Sequence, residues 1–255
     1  MRPTRRELLA AGAAAVLAAC SRHARHAAPS TSPGAASPSP ARTPSPSQSV
    51  AAAGLPAFVQ HGSRERDVVA LTFHGSGDLG LARALLDEAG RGGARITVFA
   101  VGQWLAAHHV VAQWLRDGGH ELANHTYTHP SLGRLSASRV HDEIARCADA
   151  IAAVSGTRGA WFRPSAMAVP NARVLREAHA VGYPTVVGYD VDSRDFTDPG
   201  PNAVYDKVAR EVRPGSIVSM HLGHQGTVTA LPKVLDMLRA KGFRAVTVSE
   251  LLVHP

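Results

Sequence analysis

From Val68 onward the chain alternates between two kinds of apolar pattern. VVALTF (Val68 to Phe73) and ARITVFAVG (Ala94 to Gly102) are short, nearly unbroken apolar runs, and they predict buried strands. Between them, LGLARALLDEAG (Leu79 to Gly90) places its apolar residues at helical spacing and ends on a glycine, a stop signal. The alternation continues. QWLAAHHVVAQWLRDGG (Gln103 to Gly119) predicts a helix, GHELANH a shorter strand, and SASRVHDEIARCADAIAAVSG (Ser136 to Gly156) another helix. AWFRP, YPTVVGYDVD, GSIVSMHL and FRAVTVSELL extend the strand series, with helical stretches between them. Strands alternating with helices predict a parallel sheet flanked by helices. About seven such units in some 200 residues suit a barrel better than an open sheet. The expected class is therefore α/β, a distorted (β/α) barrel, over residues 55–255.

The first fifty residues do not share this pattern. Paired arginines, Arg5 and Arg6, precede a Leu/Ala-rich segment that stops at Cys20. About a dozen apolar residues fall short of the roughly 20 that cross a bilayer as a helix, so residues 1–20 read as a targeting segment. The twin arginines resemble a Tat export signal, and LAAC (Leu17 to Cys20) resembles a lipobox, which implies a lipid anchor on the Cys20 sulfur. An ordinary secretory signal with an incidental cysteine is the alternative. Residues 21–54 are mostly Ala, Pro, Ser, Thr and Gly, a composition expected of a disordered tether. The expected location is outside the cytoplasmic membrane.

Charge then changes meaning. The chain carries a net +7, but six arginines and one glutamate in residues 1–50 supply five of those charges. The domain itself is nearly balanced, so the basic total is no argument for nucleic-acid binding. Its one cysteine, Cys147, sits on a helical pattern beside Ala148 and excludes a disulfide framework.

Polar residues gather just after the apolar runs: HGSGD after the first strand, NHTYTH after the third, RP after the fourth, DVDSRDF after the fifth and HLGH after the sixth. In a βα barrel these strand ends share one face, where active sites are built. His125 and His129, four apart, could meet on one side of a helical turn with the spacing to hold one divalent ion. HExxH chemistry is absent, since Thr-Tyr-Thr intervenes. Trp104 and Trp114 fall on a helical pattern and are expected in the shell between helix and barrel; Trp161 is a further candidate for stacking on a sugar.

NHTYTHPSLGRLS resembles the H-[ST]-x-x-H-P signature of the polysaccharide deacetylases, the NodB-homology or carbohydrate esterase 4 family. WFRPS, DVDSRDF and GSIVSMH resemble that family's further elements, in order, over residues 66–252. The resemblance implies a metal-dependent hydrolase that removes N-acetyl or O-acetyl groups from an extracellular glycan, peptidoglycan or chitin-like. It implies a divalent ion, zinc foremost, with Co, Ni or Mn as other occupants, bound by His125, His129 and a carboxylate. By the same resemblance His221 is the acid, Arg163 and Asp195 orient the base, and Asp192 braces their loop. The first motif departs from the family. Where the family has T-F-D-D-G, this chain has T-F-H-G-S-G-D, so His74 and Gly75 replace both aspartates. Asp78 is the nearest carboxylate, and two arrangements stay open: Asp78 as metal ligand with His74 as base, or the reverse. A third reading is a glycan-binding pseudoenzyme on the same barrel. Ser219 stands where the family's leucine meets the acetyl methyl group, and Phe196 replaces a tryptophan.

Overall fold

The computed structural model describes residues 54–252. The signal-like segment and nearly all of the tether lie outside them. The central element is β2 (Val68–Gly75), in which every residue but His74 is buried. It pairs in parallel with β3 (Thr97–Ala100) on one side and with β7 (Ile217–His221) on the other; its first three residues also pair with β8 (Arg244–Val246). β4 (Glu121–Asn124) extends the sheet beyond β3, and β6 (Val191–Asp192) extends it beyond β7. A separate parallel pair joins β1 (Phe58–Val59) to β5 (Val186–Val187). Buried side chains on both faces explain why the strands read as continuous apolar runs rather than alternating ones.

Isolated bridges join the two sheets into a distorted barrel, and His61 makes one of them, antiparallel, to Ser216 at the foot of β7. Phe162 forms single parallel bridges to Asn124 of β4 and to Val186 of β5, so AWFRP supplies a link and not a full strand. YPTVVGYDVD likewise divides into β5 and β6. The Asp190 carboxylate between them accepts hydrogen bonds from Ser216 Oγ and the Ile217 N–H, which draws the backbone off the strand path.

Helices cover the outside: α1 (Leu79–Arg91), α2 (Gly102–Ala107), α3 (Val110–Asp117), α4 (Ala137–Ser155), α5 (Ala172–Val181), α6 (Pro201–Glu211), α7 (Gln225–Ala240) and the terminal α8 (Val248–Leu252). α4 runs from a Ser136 side-chain cap to Gly156 in the left-handed conformation, the terminus its sequence signals. The expected single helix over 103–119 is instead α2 and α3, broken at His108, whose Nδ1 bonds the Trp104 carbonyl. The core between α1, α7 and the sheet is built on Leu71, Phe73, Leu85, Leu231 and Val234. Trp104, as expected, fills the helix shell; its Nε1 donates to the Gly77 carbonyl at 2.8 Å. At the floor, Trp161 is fully buried, and Glu121 accepts from Thr97, Trp161 and Ser249, tying α8 to the barrel. Among the described residues no helix is long and apolar enough to cross a membrane.

Candidate active site

The ends of β2, β4 and β7 deliver His74, His125 and His221 to one cleft of about 350 Å³. The polar clusters that follow the strands do share a face, as the sequence predicts. His125 and His129 meet, but not on a helical turn. Thr126 (φ 68°) and His129 (φ 60°) are both left-handed, and the tight backbone brings the two rings to a 4.9 Å centroid separation. Non-glycine residues rarely adopt this conformation, and it is tolerated where the surroundings enforce it. Here the Glu143 carboxylate of α4 accepts the N–H groups of Tyr127 and Thr128.

His125 is 1% exposed, and its Nδ1 donates to the Arg163 carbonyl at 2.9 Å. Its Nε2 is buried without a hydrogen-bond partner. Because Nδ1 carries the proton, that free atom is a lone pair. The His74 ring stacks on His125 with centroids 4.2 Å apart and planes at 22°. His74 Nδ1 lies 2.9 Å from His221 Nε2, and Arg163 Nη1 lies 3.3 Å from His74 Nε2. Burial, the neighbouring imidazoles and the Arg163 charge hold the His74 pKa well below its usual value. Burial does the same for His125, with His129 adding to it.

Arg163 and Asp195 do not form the pair that the family resemblance implies. Asp195, 1% exposed, faces His221: its Oδ1 accepts from His221 Nδ1 at 2.7 Å. Its Oδ2 takes the His221 backbone N–H and the Thr227 hydroxyl. Burial alone would raise the Asp195 pKa, but these bonds and the His221 charge hold it below the usual carboxylate range. Arg163 sits across the cleft, fully buried and without a carboxylate partner. It donates to the carbonyls of Val187 and Gly188, to Thr72 Oγ1 and to His74. Its face lies over the Phe99 ring at 4.1 Å, and burial lowers its pKa to about 9. Thr72 and Thr227 were silent in the sequence, since a threonine in a strand or helix carries no chemical signature until its neighbours are known.

Asp78 is not brought to the cleft. It is exposed and is the N-cap of α1, its carboxylate accepting from the Leu81 N–H at 2.9 Å. A larger residue at Gly75 would need its neighbours to shift, because an added Cβ would lie 2.8 Å from Val98 Cγ1 and 3.0 Å from Ala100 Cα. Two imidazoles thus suit a divalent ion and the third protein ligand is missing. Among the described residues no group of three or more His, Cys, Asp or Glu side chains is placed to hold one. The remaining wall is mixed: polar at Tyr189, Asp192 and Ser219, apolar at the Ala166–Ala168 loop and the half-exposed Phe196. Asp192 does brace its loop, accepting the Arg194 N–H. His224 bonds Asp198 at the exposed rim.

Residues 61–186 match the polysaccharide deacetylase family. A Bacillus cereus peptidoglycan-N-acetylglucosamine deacetylase is 29% identical over 197 residues, covering 72% of this chain and 88% of that protein. Other curated relatives are longer, and the chain spans 49% of one of them. A solved family 4 carbohydrate esterase from Streptomyces lividans, in complex with acetate, superposes with a TM-score of 0.66 at 31% identity, over 70% of this chain and 91% of that one. A Bacillus anthracis protein described as a CE4 family pseudoenzyme superposes with a TM-score of 0.72 at 26% identity, over 77% and 69% of the two chains. With this barrel and these matches, the chain belongs to the polysaccharide deacetylase family, carbohydrate esterase family 4, hydrolases acting on carbon–nitrogen bonds other than peptide bonds.

Proposed function

We propose that the domain removes acetyl groups from the amino sugars of an extracellular glycan, peptidoglycan or chitin-like, at the histidine cleft. The Asp195–His221 pair carries this reading. Asp195 holds the ring at Nδ1, which leaves Nε2, met by His74 Nδ1 in the resting cleft, as the atom that would exchange that bond for a proton from the attacking water; the Asp195 charge favours the imidazolium so formed. That proton would pass to the departing amine as the amide C–N bond breaks and water completes the acetate. Tyr189, Asp192 and Ser219 offer hydrogen bonds to sugar hydroxyls, and Phe196 with the Ala166–Ala168 loop offers an apolar face to the ring. The twin arginines and the Cys20 context support export and lipid attachment, which would hold the domain at the cell wall on its tether.

A second reading, recognition of the acetylated glycan without turnover, is favoured by a specific observation: no carboxylate from the first loop lines the cleft. The likeness to a pseudoenzyme agrees with it. Acetate release from N-acetylated chitooligosaccharides, measured beside glycan binding on the same preparation, separates the two. Binding with no acetate retires the hydrolase; release of acetate retires the pseudoenzyme.

A further inference from the structure

The divalent ion implied by the family resemblance asks for two histidines and a carboxylate, and three features withhold the carboxylate. Asp78 is engaged at the N-terminus of α1. The space beside Gly75 is filled by Val98 and by the backbone of Ala100. His74, the replacement at the preceding position, has both ring nitrogens occupied.

The direction of those His74 bonds follows from the ends of the chain they belong to. Asp195 accepts only, so His221 Nδ1 carries a proton and a neutral His221 presents a lone pair at Nε2. Arg163 donates only, so His74 Nε2 presents a lone pair and Nδ1 carries the proton. That proton points at His221 Nε2, 2.9 Å away. Both ends demand the same pair of tautomers, and the four residues bond in one direction, Arg163 to His74 to His221 to Asp195. His125 Nδ1 is committed to the Arg163 carbonyl. One buried ring atom of the cleft is left over, the lone pair of His125 Nε2.

We infer that this cleft binds its ligand without a divalent ion: the Arg163–His74–His221–Asp195 chain stands in place of a three-ligand centre, and His125 Nε2 accepts a hydrogen bond from the ligand, the N–H of an acetamido group. His74 is then a positioning residue, neither base nor ligand, that holds His221 against Arg163. The absence of the ion follows from the donor set alone; the acetamido assignment rests on the proposed function. An uncharged N–H donor suits a site where a buried guanidinium already lacks a counter-charge, since a second uncompensated cation would be costly.

The test uses the full chain, stripped with a chelator and titrated calorimetrically with zinc chloride. Tetra-N-acetylchitotetraose is then titrated with and without EDTA. The expected result is no stoichiometric zinc uptake, glycan affinity indifferent to EDTA, and a loss of about tenfold in affinity for His125→Ala. Long-range 15N–1H spectra of the wild-type imidazoles are expected to show the proton on Nδ1 of both His74 and His221, a readout that does not depend on any variant folding. Zinc bound one to one, or glycan affinity abolished by EDTA, overturns the inference whether or not acetate is released. A His74 proton on Nε2 overturns the directed chain, and failure of the glycan to bind overturns the acetamido assignment. Metal-free glycan binding without acetate release leaves the inference standing and removes only the hydrolytic reading.

Discussion

The carboxylate of Asp195 holds His221 at two points, its ring Nδ1 and its backbone N–H, each at 2.7 Å. One side chain thereby fixes both the position and the tautomer of the histidine at the end of β7. Asp195→Asn puts an amide donor where the structure needs an acceptor. Loss of a properly poised acid or base typically costs about 10²–10⁴-fold, so acetate release is expected to fall into that range with the fold intact. Near-wild-type kcat in Asp195→Asn would separate His221 from the chemistry.

Stability should fall on acidification in two steps. The folded-state pKa values of His74 and His125 are depressed by burial, whereas in the unfolded chain both titrate near 6.5. Below about pH 6.5 the unfolded state binds protons that the folded state refuses, so stability declines as pH falls, by up to about 1.4 kcal/mol per pH unit for each such group. Asp195, also depressed, adds its loss only below its unfolded value of about 3.9. Unfolding midpoints of the wild type and His74→Asn, compared from about pH 8 to pH 5, check the first step: the variant should show the shallower slope.

Gly75→Ala is expected to destabilise the domain by about 1–3 kcal/mol through overpacking. The added methyl meets Val98 and the backbone of Ala100. Adding Val98→Ala should recover part of the loss and not all, because the contact with Ala100 stays. Urea denaturation of the single and double variants measures this; an unchanged midpoint for Gly75→Ala would mean the strand ends are free to part.

Asp78→Ala should cost about 1 kcal/mol as a lost helix cap, and Asp78→Asn only a fraction of that. Neither should alter glycan affinity or acetate release. A tenfold loss of turnover in a fully folded Asp78→Asn protein would return this carboxylate to the cleft.

The sequence made the barrel legible where strands are buried on both faces. VVALTF, ITVFA and IVSM are buried throughout, Thr72, Thr97 and Ser219 included, and they fall in β2, β3 and β7. It was misleading where tertiary bonds cut across a local pattern, as at Asp190 and His108. The cleft was legible as a set of residues and not as a set of partners. Strand-end position put His74, His125, Arg163, Asp195 and His221 together, but spacing has no information on which side chains pair across the barrel. Arg163 bonds His74 and Asp195 bonds His221, so the two are joined only through that pair of histidines. Asp78 followed local physics: an aspartate three residues before a helical N–H caps that helix.

The single-residue bridge at Phe162 gives the cylinder a seam, and the side chain of the next residue reaches inward from it. Arg163 donates to Val187 and Gly188 beside that seam and, inside the barrel, to Thr72 and His74 on β2, two strands beyond β4, so the guanidinium is a rivet as well as a neighbour of the chemistry. Whatever loosens it opens the wall and unfastens the histidines together, and in this protein the integrity of the barrel and the arrangement of its mouth cannot be varied separately.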